Sequence, residues 1–318
     1  MTSWGIARRL CAIDVVTMAR ACALAAGTIA RSALIPEWRT VLVVCGLVGG
    51  GVPLLAWLRT HLDLGAVRVL HDWSFPLSVY PIYLVVLLIA GPSHDGQVYD
   101  EWLIAADAWI FRTDPTVWLS RFAHPAVTEL LQLSYALFYA LPLAVGAELY
   151  LGGREPQFRQ WVFVCGCGFY LAFAGYLVMP AVGPRFTLHE LGATARELPG
   201  LWLTPLLRTV VDGGGMAPVG AAHDAVMRMA PRDAFPSGHA LVTILTMVWA
   251  WRFRLGVRWV VTVAGTLLVV ATVYLRYHYV VDVLAGAILA ALCLALAPAV
   301  HTWLARQLGT LDDELRAR

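Results

Sequence analysis

Lysine is absent from the 318-residue sequence; all 23 basic residues are arginine. Schiff-base chemistry and any phosphate site built on lysine are thereby excluded. Charge of either sign is scarce, at 14% of the chain, where soluble domains carry about 25%. Hydrophobic residues make up 59%. That balance describes a polytopic membrane protein, and the net charge of +2 gives no case for a nucleic-acid partner. Cysteine is also sparse: Cys11, Cys22, Cys45, Cys165, Cys167 and Cys293, all in apolar stretches. Cys165 and Cys167 are two apart on an expected helix and so point to different faces. Neither a disulfide nor a zinc site is expected.

Long apolar runs are plentiful. A spanning helix needs about 20 largely apolar residues. Seven stretches meet or approach this: 40–58, 75–91, 126–150, 160–180, 238–254, 258–276 and 279–304. Residues 10–30 form a weaker eighth, either spanning or lying in the interface. Arg8 and Arg9 precede it as in a signal peptide, but Asp14 and Arg20 interrupt it, so it reads as an uncleaved helix. The fold class expected is all-α, a polytopic membrane helix bundle. Residues 1–74 read as N-terminal helices, 75–304 as the main membrane domain and 305–318 as a polar tail.

Two connections are long. Residues 98–122 carry Asp100, Asp107 and Asp114 at seven-residue intervals, with Trp102, Leu103, Trp109 and Ile110 on other faces. This pattern predicts an amphipathic helix on the membrane surface. Asp114 before Pro115 is a helix cap with proline in the first turn, so a second short helix starts there. Residues 181–237 contain Gly213, Gly214, Gly215 and several prolines and are too polar to span. Loops of this length tend to be functional or disordered.

Arginines in short loops set the sidedness. Seven spans put Arg59, Arg68, Arg154, Arg159, Arg252, Arg254, Arg258 and Arg306 on one side, which should be cytoplasmic. Loops 91–125 and 181–237 should then face outward, as expected of a plasma-membrane protein with its site on the non-cytoplasmic face.

Three polar stretches fall on that outer face by helix counting: "MPAVGPRF" with Arg185, "FPSGHA" with Ser237, Gly238 and His239, and "YLRYHYVVDVLAG" with Arg276, His278 and Asp282. A helix starting at Ser237–Gly238 points unpaired backbone N–H groups forward, which attracts anions. Arginine offers a fork of donors matching phosphate oxygens, so Arg185 and Arg276 are candidate clamps. His278 and Asp282 are four apart and share a helical face. Asp282 can accept from one ring nitrogen of His278 and leave the other free to attack. His239 can protonate a leaving oxygen. Ser237 and the N–H groups near Gly238 can hold developing charge. Ionisable groups near a bilayer are costly unless used. Taken singly, each also reads as an interfacial anchor or a capped pair. His94, His124, His189 and His223 match no metal-ligand spacing and read as solvated loop histidines.

"PSGH", followed about forty residues later by "HYVVD", resembles the type-2 phosphatidic acid phosphatase superfamily. The resemblance implies a six-helix core over roughly 75–304, with one or two extra N-terminal helices. It implies that His278 is a nucleophile forming a phosphohistidine, supported by Asp282, and that His239 is the acid and then the base. Arg185, Ser237 and Gly238 would bind phosphate, and no metal or other cofactor is needed. Two departures stand out. The family's first motif has lysine seven residues before its arginine and proline after it; here Val178 occupies that place and Pro184 precedes Arg185. The third motif has arginine six residues before its histidine; here Thr272 stands there, and Arg276 is the candidate substitute. "GPR", "PSGHA" and "HYxxDVLAG" are similar to the branch containing inositol phosphorylceramide synthases.

The function expected is an integral membrane phosphoryl-transfer enzyme that hydrolyses a lipid phosphate ester or diphosphate. A headgroup phosphotransferase with a lipid alcohol as acceptor uses the same residues. A non-catalytic membrane protein or lipid transporter that keeps the old site is the third reading, favoured by the missing lysine and displaced arginine.

Overall fold

A chain in hydrocarbon must satisfy its own backbone N–H and C=O groups, so apolar runs become helices. The computed structural model describes residues 10–62, 64–212, 227 and 229–310, and no strand occurs among them. Arg8, Arg9, the run Gly213 to Gly215, His223 and residues 311–318 of the expected tail lie outside the described residues. The larger helices are α1 (Ala12–Ala30), α2 (Trp38–His61), α3 (Gly65–Asp72), α4 (Ser74–Ala90), α5 (Asp100–Phe111), α6 (Pro115–Leu119), α7 (Pro125–Ala136), α8 (Ala140–Leu151) and α9 (Glu155–Val178). Short turns α10 (Pro184–Thr187) and α11 (Thr194–Glu197) follow, then α12 (Thr204–Asp212), α13 (Gly238–Arg252), α14 (Arg258–Tyr274) and α15 (Val280–Leu308). The protein is an all-helical polytopic membrane bundle.

Among the described residues, five helices are long and apolar enough to cross a bilayer: Ala12–Ala30, Trp38–His61, Ser74–His94, Glu155–Val178 and Val280–Leu308. α7 and α8, bent by 49°, make a sixth if taken as one span. The other two expected spans are shorter than their apolar runs, α13 with 15 residues and α14 with 17. At 1.5 Å per residue, α13 rises only ~22 Å, below the ~30 Å of a hydrocarbon core. Their polar ends explain the shortfall. α13 cannot start before Gly238 because Ser237 caps it, and α14 stops at Tyr274, two residues before Arg276 takes a φ of 70°.

The chain divides into two compact units. One comprises Met1–Asp95, Gly146–Tyr170 and Ala291–Arg318; the other comprises Gly96–Val145 and Leu171–Ala290. In the first, Phe75 packs against Phe169 and Tyr170, and a polar cluster of Asp14, Arg59, His71 and Asp72 is tied together by side-chain bonds. In the second, Leu131, Tyr135, Leu198, Ala271, Tyr274 and Leu275 form one buried cluster. Leu103, Ala181, Ala234 and Tyr279 form another.

α5 reverses the expected polarity. Asp100 and Asp107 are buried, whereas Trp102 and Trp109 are each 73% exposed. The acids face protein because backbone N–H donors there require an acceptor, as described below. The cap at Asp114 forms as expected, its carboxylate accepting from the N–H groups of Thr116 and Val117.

Candidate active site

The three polar stretches meet in the second unit, and main chain ties them. Ala234 N–H donates to Ala181 O at 3.0 Å, Arg185 N–H to Arg276 O at 2.9 Å, and Ser237 N–H to Asp282 O at 3.0 Å. Close approach sets which residues these can be. A Cβ on Gly286 would lie 2.5 Å from Ser237 O, and one on Gly183 would lie 2.5 Å from Tyr277 O. Gly183 also has a φ of 92°, a conformation that side chains resist.

His278 sits in the turn between α14 and α15. Its N–H and that of Tyr277 both donate to Thr272 O at 3.0 Å. Its Nδ1 lies 2.8 Å from Ala234 O. A carbonyl only accepts, so Nδ1 carries the proton and Nε2 keeps its lone pair. That lone pair faces His239 Nδ1 at 3.3 Å. Burial pulls the His278 pKa down to about 4, and the nearby Arg185 charge acts in the same direction. Asp233 and the Ala234 carbonyl oppose the shift. The ring is therefore a neutral imidazole at pH 7.

His239, the second residue of α13, is held by aromatic faces. Tyr135 stacks on it at 4.6 Å and Phe138 lies at 4.2 Å. Tyr135 also stacks on Tyr277 at 4.3 Å, and the Arg185 guanidinium lies 4.6 Å from the centre of the Tyr277 ring. The buried Ser237 caps α13 with its hydroxyl, which accepts from Ala240 N–H at 3.2 Å. Gly238 rests against Tyr176, whose hydroxyl would lie 2.4 Å from a Cβ there.

Asp282 and Arg276 depart from expectation. His278 precedes α15, so the pair is not on one helical face. Asp282 Oδ2 is 3.5 Å from His278 Nδ1 and instead accepts from Tyr279 N–H at 2.9 Å. The nitrogen expected to bond Asp282 bonds the Ala234 carbonyl. Asp282 Oδ1 is buried with no hydrogen-bond partner. Arg276 is not an open phosphate clamp. It is buried, its Nη1 pairs with Glu197 Oε2 at 2.6 Å, and its Nη2 donates to Ser120 Oγ at 2.9 Å. That pairing holds the Glu197 carboxyl below its usual pKa. His189, expected to be solvated, is part of the same surroundings. Its Nε2 lies 2.8 Å from Thr116 Oγ1, and burial, with the Arg276 charge, lowers its pKa to about 4.

Sequence reasoning missed Tyr135, Phe138 and Tyr277, for which a single sequence offers no signal. It noticed Asp100 and Asp107 but read them as part of an amphipathic helix on the membrane surface. Chemically, the site offers a neutral imidazole nitrogen whose lone pair accepts from a second imidazole, His239, and an arginine within electrostatic reach of both rings. The model of the PAP2 superfamily matches residues 101–296, more than half of the chain and every residue of this site.

The protein belongs to the PAP2 superfamily. Over 52% of its length it is 27% identical to a PA-phosphatase related-family protein of Dictyostelium discoideum. The match covers 31% of that relative, so the chain spans only part of the relative's length. No solved structure matches the chain. Membership of the PAP2 superfamily suggests phosphatase or phosphotransferase activity, and the helices make the chain a membrane protein.

Proposed function

We propose that this PAP2 protein hydrolyses a lipid phosphate ester or diphosphate through a phosphohistidine. The observation that carries the reading is the His278 ring, whose Nδ1 proton is held by Ala234 O and whose Nε2 lone pair faces His239. Nε2 attacks phosphorus, a P–N bond forms, and the P–O bond to the leaving group breaks. His239 enters as the imidazolium, gives its Nδ1 proton to the leaving oxygen and is left as a neutral imidazole. Water then attacks phosphorus, His239 takes the water proton, and the P–N bond breaks. Arg185 supplies paired donors to the phosphoryl oxygens. Ser237 and the backbone at Gly238 stabilise their developing charge. Asp282 braces the turn that follows His278 by accepting from Tyr279 N–H rather than by a direct hydrogen bond to the ring. Arg276 ties Glu197 and Ser120 rather than phosphate. The substrate is lipid-borne and reaches the site from the bilayer, and the arginine distribution supports a non-cytoplasmic site.

The acceptor distinguishes hydrolase from transferase. Tyr135 and Phe138 put apolar surface beside His239, which favours entry of a lipid alcohol as a second reading. Purified protein in mixed micelles would be given labelled phosphatidate, a polyprenyl diphosphate or phosphatidylinositol, each with and without ceramide or diacylglycerol. Free phosphate that vanishes in His278→Ala supports the hydrolase. A new phospho-headgroup lipid formed only with acceptor supports the transferase. An active His278→Ala protein overturns both.

A further inference from the structure

α5 is bound to both arms of the site. Asp100 and Asp107 are seven residues apart, about two helical turns, and so lie on one face. Both are buried, with 2% and 0% exposure. Asp107 uses one oxygen for each of two donors: Oδ2 accepts from Val280 N–H and Oδ1 from Val281 N–H, both at 2.9 Å. These are the first two residues of α15, whose leading N–H groups have no partner within the helix. They follow His278 by two and three residues. Asp100 accepts from Val182 N–H at 3.0 Å, Gly183 N–H at 2.8 Å and the Tyr279 hydroxyl at 2.9 Å. Val182 and Gly183 lie just before Arg185, and Tyr279 adjoins His278.

We propose that Asp100 and Asp107 are positioning residues that fix the Arg185 arm and the His278 arm to one rigid helix. The proposal rests on the phosphohistidine reading for the meaning of those arms. Asp107 sets where the nucleophilic nitrogen stands. Asp100 chiefly sets the backbone that presents Arg185, with a second tie through Tyr279. A carboxylate does what an amide cannot here. Changing Asp107 to asparagine turns one acceptor oxygen into an NH₂ that faces a backbone N–H, so one donor at the start of α15 loses its partner. A nucleophile displaced by about 1 Å loses on the order of 100-fold in rate.

The test is steady-state kinetics with vanadate inhibition on full-length protein, beside hydrogen exchange of the amides concerned. Asp107→Asn should lower kcat about 10- to 100-fold with little change in KM or vanadate affinity. Asp100→Asn should raise KM and weaken vanadate, with a smaller fall in kcat. The exposed neighbour Glu101→Gln should match wild type. Exchange should rise at residues 280–281 in the first variant and at 182–183 in the second. Both variants at wild-type kcat and KM would overturn the proposal, as would equal losses in kcat that track only the fraction folded. An active His278→Ala protein would instead remove the phosphohistidine reading. The exchange data would then decide the positioning by themselves: unchanged exchange at both sites overturns it, and site-specific increases sustain it.

Discussion

Each unit buries a histidine near an aspartate, and the two clusters differ in what is left over. In the first unit, His71 Nδ1 lies 3.1 Å from Arg59 Nη1, and its Nε2 lies 3.1 Å from Asp14 Oδ2. Arginine only donates, so Nδ1 must accept and Nε2–H must donate. Arg59 also pairs with Asp72 at 2.7 Å, and Tyr150 donates to the same carboxylate at 3.1 Å. Both ring nitrogens are spent. In the second unit, His278 spends one nitrogen on a backbone carbonyl, and its other nitrogen accepts from another imidazole, His239, rather than being held by an arginine or a carboxylate. The same residue types make a closed structural network in one place and a reactive arrangement in the other. The deciding feature is the partner's chemistry, not the presence of a histidine and an acid. Cys11 lies with Asp14 and His71 in ligand-like proximity. The Arg59 donor nevertheless fixes the His71 tautomer whose Nε2 carries a proton rather than a lone pair.

The largest effect separates the two clusters by chemistry. His278→Ala should bring turnover to background while the thermal transition in detergent stays near that of wild type. Arg185→Lys should also lose most activity, because a point charge replaces a two-pronged donor. Loss of folding in either variant would blur the comparison, since these residues would then be structural too.

The next effect is the converse. Asp14→Ala leaves the part-buried Cys11 N–H and the buried His71 Nε2–H without their acceptor. Each orphaned donor costs about 1–3 kcal/mol, so this variant should unfold well below wild type. Its kcat per folded molecule should be unchanged. A drop in kcat at full folding would make the first cluster part of the reaction and erase the contrast.

Arg276 gives a finer test within the second unit. A clamp competing with Glu197 for phosphate would be freed by Glu197→Gln, and substrate affinity would rise. The structure favours a tie between the turn 275–279 and the Glu197 segment, so affinity should be unchanged or fall several-fold. Arg276→Ala should act in the same direction and more strongly, because its buried Nη1 and Nη2 hold two partners at once. Vanadate inhibition of the two variants measures this directly.

The parts of this site that could be read from sequence are those whose chemistry is local. "PSGH" declares a capped helix start, and Ser237 caps α13 as such a motif should. Apolar runs mark the helices long enough to cross a bilayer, because hydrocarbon leaves the backbone no alternative. Spacing failed where the helix it assumed was absent. His278 and Asp282 are four apart, but the positive φ of Arg276 turns the chain before α15 begins, and the histidine bonds Ala234 instead. Distance in the chain hid the rest: Arg276 finds Glu197 79 residues away, and Asp107 finds Val280 173 away. The heptad of acids was visible, yet its direction depends on which backbone donors need acceptors, and only the fold supplies those.

The smallest expected effect concerns the segment 198–212. Glu129 on α7 accepts from the N–H groups of Leu201, Trp202, Leu203 and Thr204 and from the Thr204 hydroxyl. One carboxylate thus holds the start of α12. Glu129→Gln turns one acceptor oxygen into an NH₂ that faces these donors, so part of the tie is lost. Chymotrypsin at neutral pH should leave residues 198–204 of the wild type intact and cut there in Glu129→Gln. Turnover of the variant should change little, because the bonds of Glu129 run to residues 201–204 and not to His239 or His278. Equal cutting of wild type and variant would mean that packing of Leu198 in its buried cluster, and not Glu129, holds the segment.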